Sequence, residues 1–162
     1  MDPYDTPPHR KAAERRIARL RDEPLDDARL HELIGLMLAG AVRRQVWLMF
    51  LDDAARLSDV VMPLSDYPRD PSEPGVVEDL GPVTAAALLS ERIRTIAEAA
   101  GCGQAVLVWE REGGEAFRAE ELSWASAMAK GLQGDAPRLR AQFVLHDDGL
   151  RVLAADDHAG AW

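Results

Sequence analysis

The chain has 162 residues, 19 basic and 28 acidic, for a net charge of −9, and 47% of the residues are hydrophobic. That size and apolar content suit one domain with its own core and exclude a disordered polymer. The single cysteine, Cys102, excludes an internal disulfide and fits a reducing compartment, and the longest apolar run, Leu33 to Val42, is too short to cross a bilayer.

The start, Met1-Asp2-Pro3-Tyr4-Asp5, lacks the basic-then-apolar pattern of a secretory signal, so a soluble cytoplasmic protein is expected. Charge is unevenly spread. Residues 10–21 hold Arg10, Lys11, Arg15, Arg16, Arg19 and Arg21 against Glu14 alone. Residues 22–162 hold 13 basic and 25 acidic groups, net −12, and repel nucleic acid and anionic membrane at long range. The basic segment reads either as a solvated helix or as a nucleic-acid arm. Arginine outnumbers lysine 17 to 2, a codon bias of GC-rich genomes.

Residues 1–8 contain three prolines and read as a loose N-terminus. His9 to Arg21 favours helix, with a thin stripe of Ile17 and Leu20, and Pro24 breaks it. A second helix starts after Asp26, a good N-cap, with Leu25 and Leu30 at staple positions and Gly40 at its end. Its Leu30, Leu33, Ile34, Met37 and Leu38 share one face. Arg44 to Leu51 reads as a central strand, apolar on both faces, and Arg56 to Leu64 returns as its hairpin partner. Pro63, Pro68, Pro71, Pro74 and Gly75 mark a long loop, with a possible turn near Val76 to Leu80. A third helix spans Thr84 to Ala100, stopped by Gly101. Gln104 to Glu110 is an apolar strand, 111–117 a glycine-containing loop, and Ala119 to Leu132 a fourth helix. Two strands, Leu139 to Leu145 and Leu150 to Leu153, flank the turn His146-Asp147-Asp148-Gly149. The order α-α-β-β-α-β-α-β-β predicts an α/β (α+β) domain with a single mixed sheet and packed helices. The segments are an N-terminus at 1–8, a helical piece at 9–41 and an α/β domain at 42–162.

That layout over residues 43–154 resembles the JAB/MPN fold, in particular its RadC-like branch. The stretches that carry the likeness are Arg44-Gln45-Val46-Trp47-Leu48-Met49-Phe50-Leu51-Asp52, Ala105-Val106-Leu107-Val108-Trp109-Glu110, Ala119-Glu120-Glu121-Leu122 and Phe143-Val144-Leu145-His146-Asp147-Asp148-Gly149. In that family the third strand is followed by His-x-His-Pro-Ser-Gly and then Ser-x-x-Asp, which hold a catalytic zinc. The resemblance places Trp109 and Arg111 at the histidines, Glu112-Gly113-Gly114 at Pro-Ser-Gly, Arg118 near the serine and Glu121 near the aspartate. An indole offers no lone pair to zinc and a guanidinium is a fixed cation. The resemblance therefore implies a degenerate, metal-free member without cofactor, acting by contact with a protein partner or a second copy.

His146 with Asp147, Asp148, Asp156, Asp157 and His158 offers oxygen ligands for a metal, but the spacing fits no calcium loop, and polar turns are the plainer reading. Cys102 follows a helix C-terminus, which disfavours a thiolate. Glu110, Glu112, Glu121 and His146 are the candidates for an unrecognised hydrolase, the alternative to a scaffold. Glu115 and Glu120 add to the same acidic stretch, which reads more simply as solvated. Trp47 and Trp109 read as core, Trp124 as core or interface, and Trp162 as a terminal aromatic able to dock. Ile17, Leu20, Leu30, Leu33, Ile34 and Met37 are expected to form an exposed apolar stripe, the candidate interaction surface.

Overall fold

A computed structural model describes residues 8–77, 81–134 and 136–159. Two helices open it, α1 (Pro8–Arg21) and α2 (Asp27–Met37). The Asp26 carboxylate accepts from the Arg29 N–H at 2.8 Å and caps α2, as the sequence implies. Strands β1 (Gln45–Leu51) and β2 (Leu57–Leu64) pair antiparallel, giving the expected hairpin. Helix α3 (Ala85–Ala100) is capped by the Thr84 hydroxyl and ends on left-handed Gly101. Then come β5 (Gln104–Glu110), α4 (Ala119–Gly131), β6 (Arg138–His146) and β7 (Gly149–Val152).

Two elements lie beyond the expected order. β3 (Pro74–Val77) and β4 (Gly81–Thr84) form a separate two-stranded ladder at the end of the proline-rich segment. The turn expected near Val76 to Leu80 begins as strand β3, and its residues 78–80 lie outside the described residues. A single helical turn, α5 (Ala155–His158), follows β7.

The main sheet runs β2-β1-β5-β6-β7 and is mixed, with β5 and β6 parallel and the other neighbours antiparallel. A parallel neighbour needs a crossover, and α4 supplies it. Side chains alternate across each strand. Val46, Leu48 and Phe50 of β1 join Ala105, Leu107 and Trp109 of β5 against α3 and α4. Met49 and Leu51 join Val106 and Val108 on the opposite face, against Leu20, Leu30, Leu33 and Ile34 of the N-terminal helices. The sheet is covered on both faces, which explains the near-continuous apolarity of β1 and β5.

This arrangement corrects the expected interaction surface. Leu20, Leu33 and Ile34 are 0% exposed and Leu30 is 1%. Ile17 and Met37 are half-buried and pack on the same cluster. The stripe is a core layer because the sheet's second face would otherwise lie open to water. Residues 9–41 likewise share a core with the strands that follow.

The proline-rich segment is tied to α3. Ala85 N–H donates to the Glu73 carbonyl at 2.9 Å, and Ala86 N–H to that of Pro71 at 3.0 Å. Two orphan donors of the helix start are thereby satisfied. Residues 1–7, the bulk of the expected loose N-terminus, and Trp162 lie outside the described residues.

Candidate functional site

A cleft of about 330 Å³ opens beside the end of β5, between the start of α4, the segment before β1 and the Tyr67 loop. Its lining includes Arg43, Arg44, Arg69, Arg111 and Arg118 against Glu110, Glu112, Glu120 and Glu121. In a chain of net charge −9, this is a local excess of one positive charge.

Glu110 ends β5 and is buried. Its Oε1 accepts from the Trp47 indole N–H at 2.8 Å and the Gln45 amide at 2.9 Å. Its Oε2 accepts from the backbone N–H groups of Val42 at 2.8 Å and Arg43 at 3.0 Å. Burial raises the pKa of this carboxyl, but these donors together outweigh it and hold the group below its ordinary value. Glu110 is thus a fixed carboxylate that staples the segment before β1 to β5. It has no proton to give near neutral pH.

Arg111 and Glu121 form a buried ion pair, with side chains 8% and 7% exposed. The guanidinium bonds Glu121 through Nε and Nη2, and also donates to the carbonyls of Gly114 and Ala116. Glu121 in turn accepts from the Arg118 backbone N–H at 3.1 Å. Arg111 therefore holds the 111–118 loop against the helix start.

An aromatic group backs the cleft. Tyr67 meets Trp109 and Trp124 edge-on, at ring separations of 5.7 and 5.5 Å. Trp109 donates to Gln142 at 2.8 Å and Trp124 to the Pro68 carbonyl at 2.9 Å. Both indoles are core residues with their polar atoms satisfied. The Arg44 guanidinium lies 3.9 Å over the Tyr67 ring, bonds Glu120 through Nε at 2.7 Å, and donates to the Tyr67 and Pro68 carbonyls. Burial pushes the Tyr67 hydroxyl up to about 12, with Arg44 opposing and Glu120, Glu121 and Glu110 adding to the rise. It stays a hydrogen-bond donor across the physiological range.

The residues matched to the family's metal site are brought together. Trp109, Arg111 and Glu121 all line the cleft, with Arg111 as the counter-ion of Glu121. The hydrolase candidates converge only in part. Glu110, Glu112 and Glu121 line the cleft, but His146 does not. It is buried at the end of β6, where its Nδ1 accepts from the Asp148 N–H at 3.2 Å. Asp147 accepts from the Gly113 N–H at 2.9 Å and pins the loop instead. Asp156, Asp157 and His158 belong to α5, where the Asp157 carboxylate accepts from Ala154 N–H at 2.8 Å. Among the described residues, no three His, Cys, Asp or Glu form a group able to hold a metal ion.

In the basic segment, Arg16 makes a two-pronged bond to Glu32 at 2.9 and 2.8 Å, and Arg21 meets Asp59 at 3.1 Å. Those two charges are shared with the protein's own acids. Arg10, Lys11, Arg15 and Arg19 are exposed. Cys102 is buried and free.

Sequence reasoning missed Tyr67, Arg43, Arg44 and Arg69. Arg43-Arg44 directly before a buried strand, and one tyrosine within a proline-rich loop, were the available signals. No protein-family model, curated protein or solved structure matches this chain. Among the described residues no helix is long and apolar enough to cross a membrane.

Proposed function

We propose that the protein is a non-catalytic interaction or scaffold domain, related in architecture to the JAB/MPN fold, that meets a protein partner at the cleft beside β5. The supporting observation is the Arg111–Glu121 pair. Where the resemblance expects a cation held by imidazoles and a carboxylate, an internal guanidinium already neutralises that carboxylate. Glu110 is saturated by four donors, so neither acid is free to move protons. The α1–α2 stripe, a core layer, no longer supports a homodimer through that face. A reducing, cytoplasmic setting agrees with one buried free thiol, Cys102.

The test is partner capture by crosslinking, comparing the wild type with a triple variant, Arg43→Glu, Arg69→Glu and Arg118→Glu. All three positions are exposed, and a urea melt of the variant checks that it folds. A partner recovered with the wild type and lost with the variant supports the reading. Stoichiometric tightly bound zinc with peptidase activity in the purified protein overturns it.

A further inference from the structure

We infer that the cleft binds a single carboxylate, presented by an acidic side chain in an exposed segment of the partner. The inference rests on the binding-domain reading and names what that domain recognises.

The charges of the cleft fall into two groups. Arg44 and Arg69 share Glu120, and Arg111 holds Glu121. Arg43 and Arg118 are different. Among the described residues neither guanidinium has a carboxylate within ion-pair distance. Arg118 is also placed against local preference. It occupies the N-cap position of α4, where a short polar acceptor is favoured and a cation is opposed by the helix dipole. It lies beside another cation as well. A methyl group built on Gly113 would come 3.2 Å from Arg118 Cζ and 3.6 Å from Arg111 Nη1, so both guanidiniums flank one glycine. Departures from local rules collect at functional sites, and Arg118 has no acidic partner among the described residues. An anion in the cleft that Arg118 and Arg43 both line supplies that partner.

The charge of the cleft also limits that of its ligand. Five guanidiniums face four carboxylates, so one negative charge balances the cleft. A phosphate, at about −1.5 to −2, would exceed that balance and face the exposed Glu112. Arginine forks match carboxylate geometry. The Tyr67 hydroxyl has no hydrogen-bond partner among the described residues, and it adds a neutral donor. A volume of about 330 Å³ accommodates a side chain or two, not a folded element.

The full chain is titrated with N-acetyl-glutamate α-amide and followed by backbone and indole N–H resonances. Inorganic phosphate and the uncharged N-acetyl-glutamine α-amide serve as comparators. The expected result is saturable shifts confined to residues 42–44, 67–69 and 109–121 with the glutamate compound. Binding should weaken about threefold in Arg118→Ala, the loss of one exposed charge pair. Arg43→Ala, at a second exposed position, should weaken it similarly. Equal shifts with the glutamine compound, tighter binding of phosphate, or binding unchanged in both variants each overturn the inference. If partner capture depends on the three cleft arginines while the carboxylate does not bind, the ligand assignment falls and the binding domain stands. If the carboxylate binds while no partner depends on the cleft, the converse holds.

Discussion

Glu110 shows how much a single side chain can organise. Its two oxygens collect donors from Trp47, Gln45, Val42 and Arg43, so the approach to β1 depends on one charge. Its carboxyl is held below the ordinary 4.5, so its contribution is full above that pH and is lost as pH falls through the folded-state value. Urea midpoints measured from pH 7 to pH 3 should therefore fall below about pH 4.5, and Glu110→Gln should flatten that part of the curve. At pH 7 the same substitution should cost about 2 kcal/mol, because a charged acceptor is replaced by a neutral one. The Arg111–Glu121 pair predicts a sharper contrast. Glu121→Gln should cost about 3–5 kcal/mol by leaving a buried guanidinium uncompensated, and Arg111→Met with Glu121→Leu should recover only part of it, because the Gly114 and Ala116 carbonyls then lose their donor. Chemical denaturation of the two variants checks this. Both partners stood out in the sequence, but their bonding did not. They lie ten positions apart across a loop, and no spacing rule joins a strand end to the following helix start. Tyr67 was less legible still, since only tertiary packing brings a loop aromatic against Trp109 and Trp124.

At the level of elements, periodicity told which faces are apolar but not what covers them. The α1–α2 stripe has the spacing of a buried face, and the structure buries it against its own sheet. Leu33→Ala should therefore cost about 3 kcal/mol, as for a filled core position, and leave the oligomeric state unchanged by light scattering. A dimer that dissociates with unaltered monomer stability would show that the stripe is an interface after all. The caps of α2 and α3 were legible because capping is local. The β3–β4 ladder was not, because its four-residue strands carry Pro74, Gly75, Gly81 and Pro82, residues that locally signal a loop. Helix α5 escaped notice for the opposite reason, being a single turn without an apolar repeat.

For the whole molecule, the two core clusters make three layers, helices–sheet–helices. An α/β body at 42–162 set apart from an N-terminal helical piece is not how the burial runs. Removing residues 8–38 would bare Met49, Leu51, Val106 and Val108 together. The truncated chain should aggregate or lose amide dispersion, read by size-exclusion chromatography and NMR. Fold class was legible because alternation of strands and helices with short links admits few layer arrangements. The cleft was not, because it is assembled from four separate parts of the chain.

The 111–118 loop carries adjacent glycines, yet its backbone is fastened from two sides. Arg111 holds the Gly114 and Ala116 carbonyls, Arg151 holds that of Glu115 and stacks 3.8 Å over Phe117, and Asp147 holds the Gly113 N–H. Such anchoring withholds the segment from proteases that need an extended strand of substrate, so cleavage there should await global unfolding. It also keeps this wall of the cleft in place. On the proposed binding role, encounter with a partner should then follow a single fast phase, with complexes differing in lifetime more than in rate of formation.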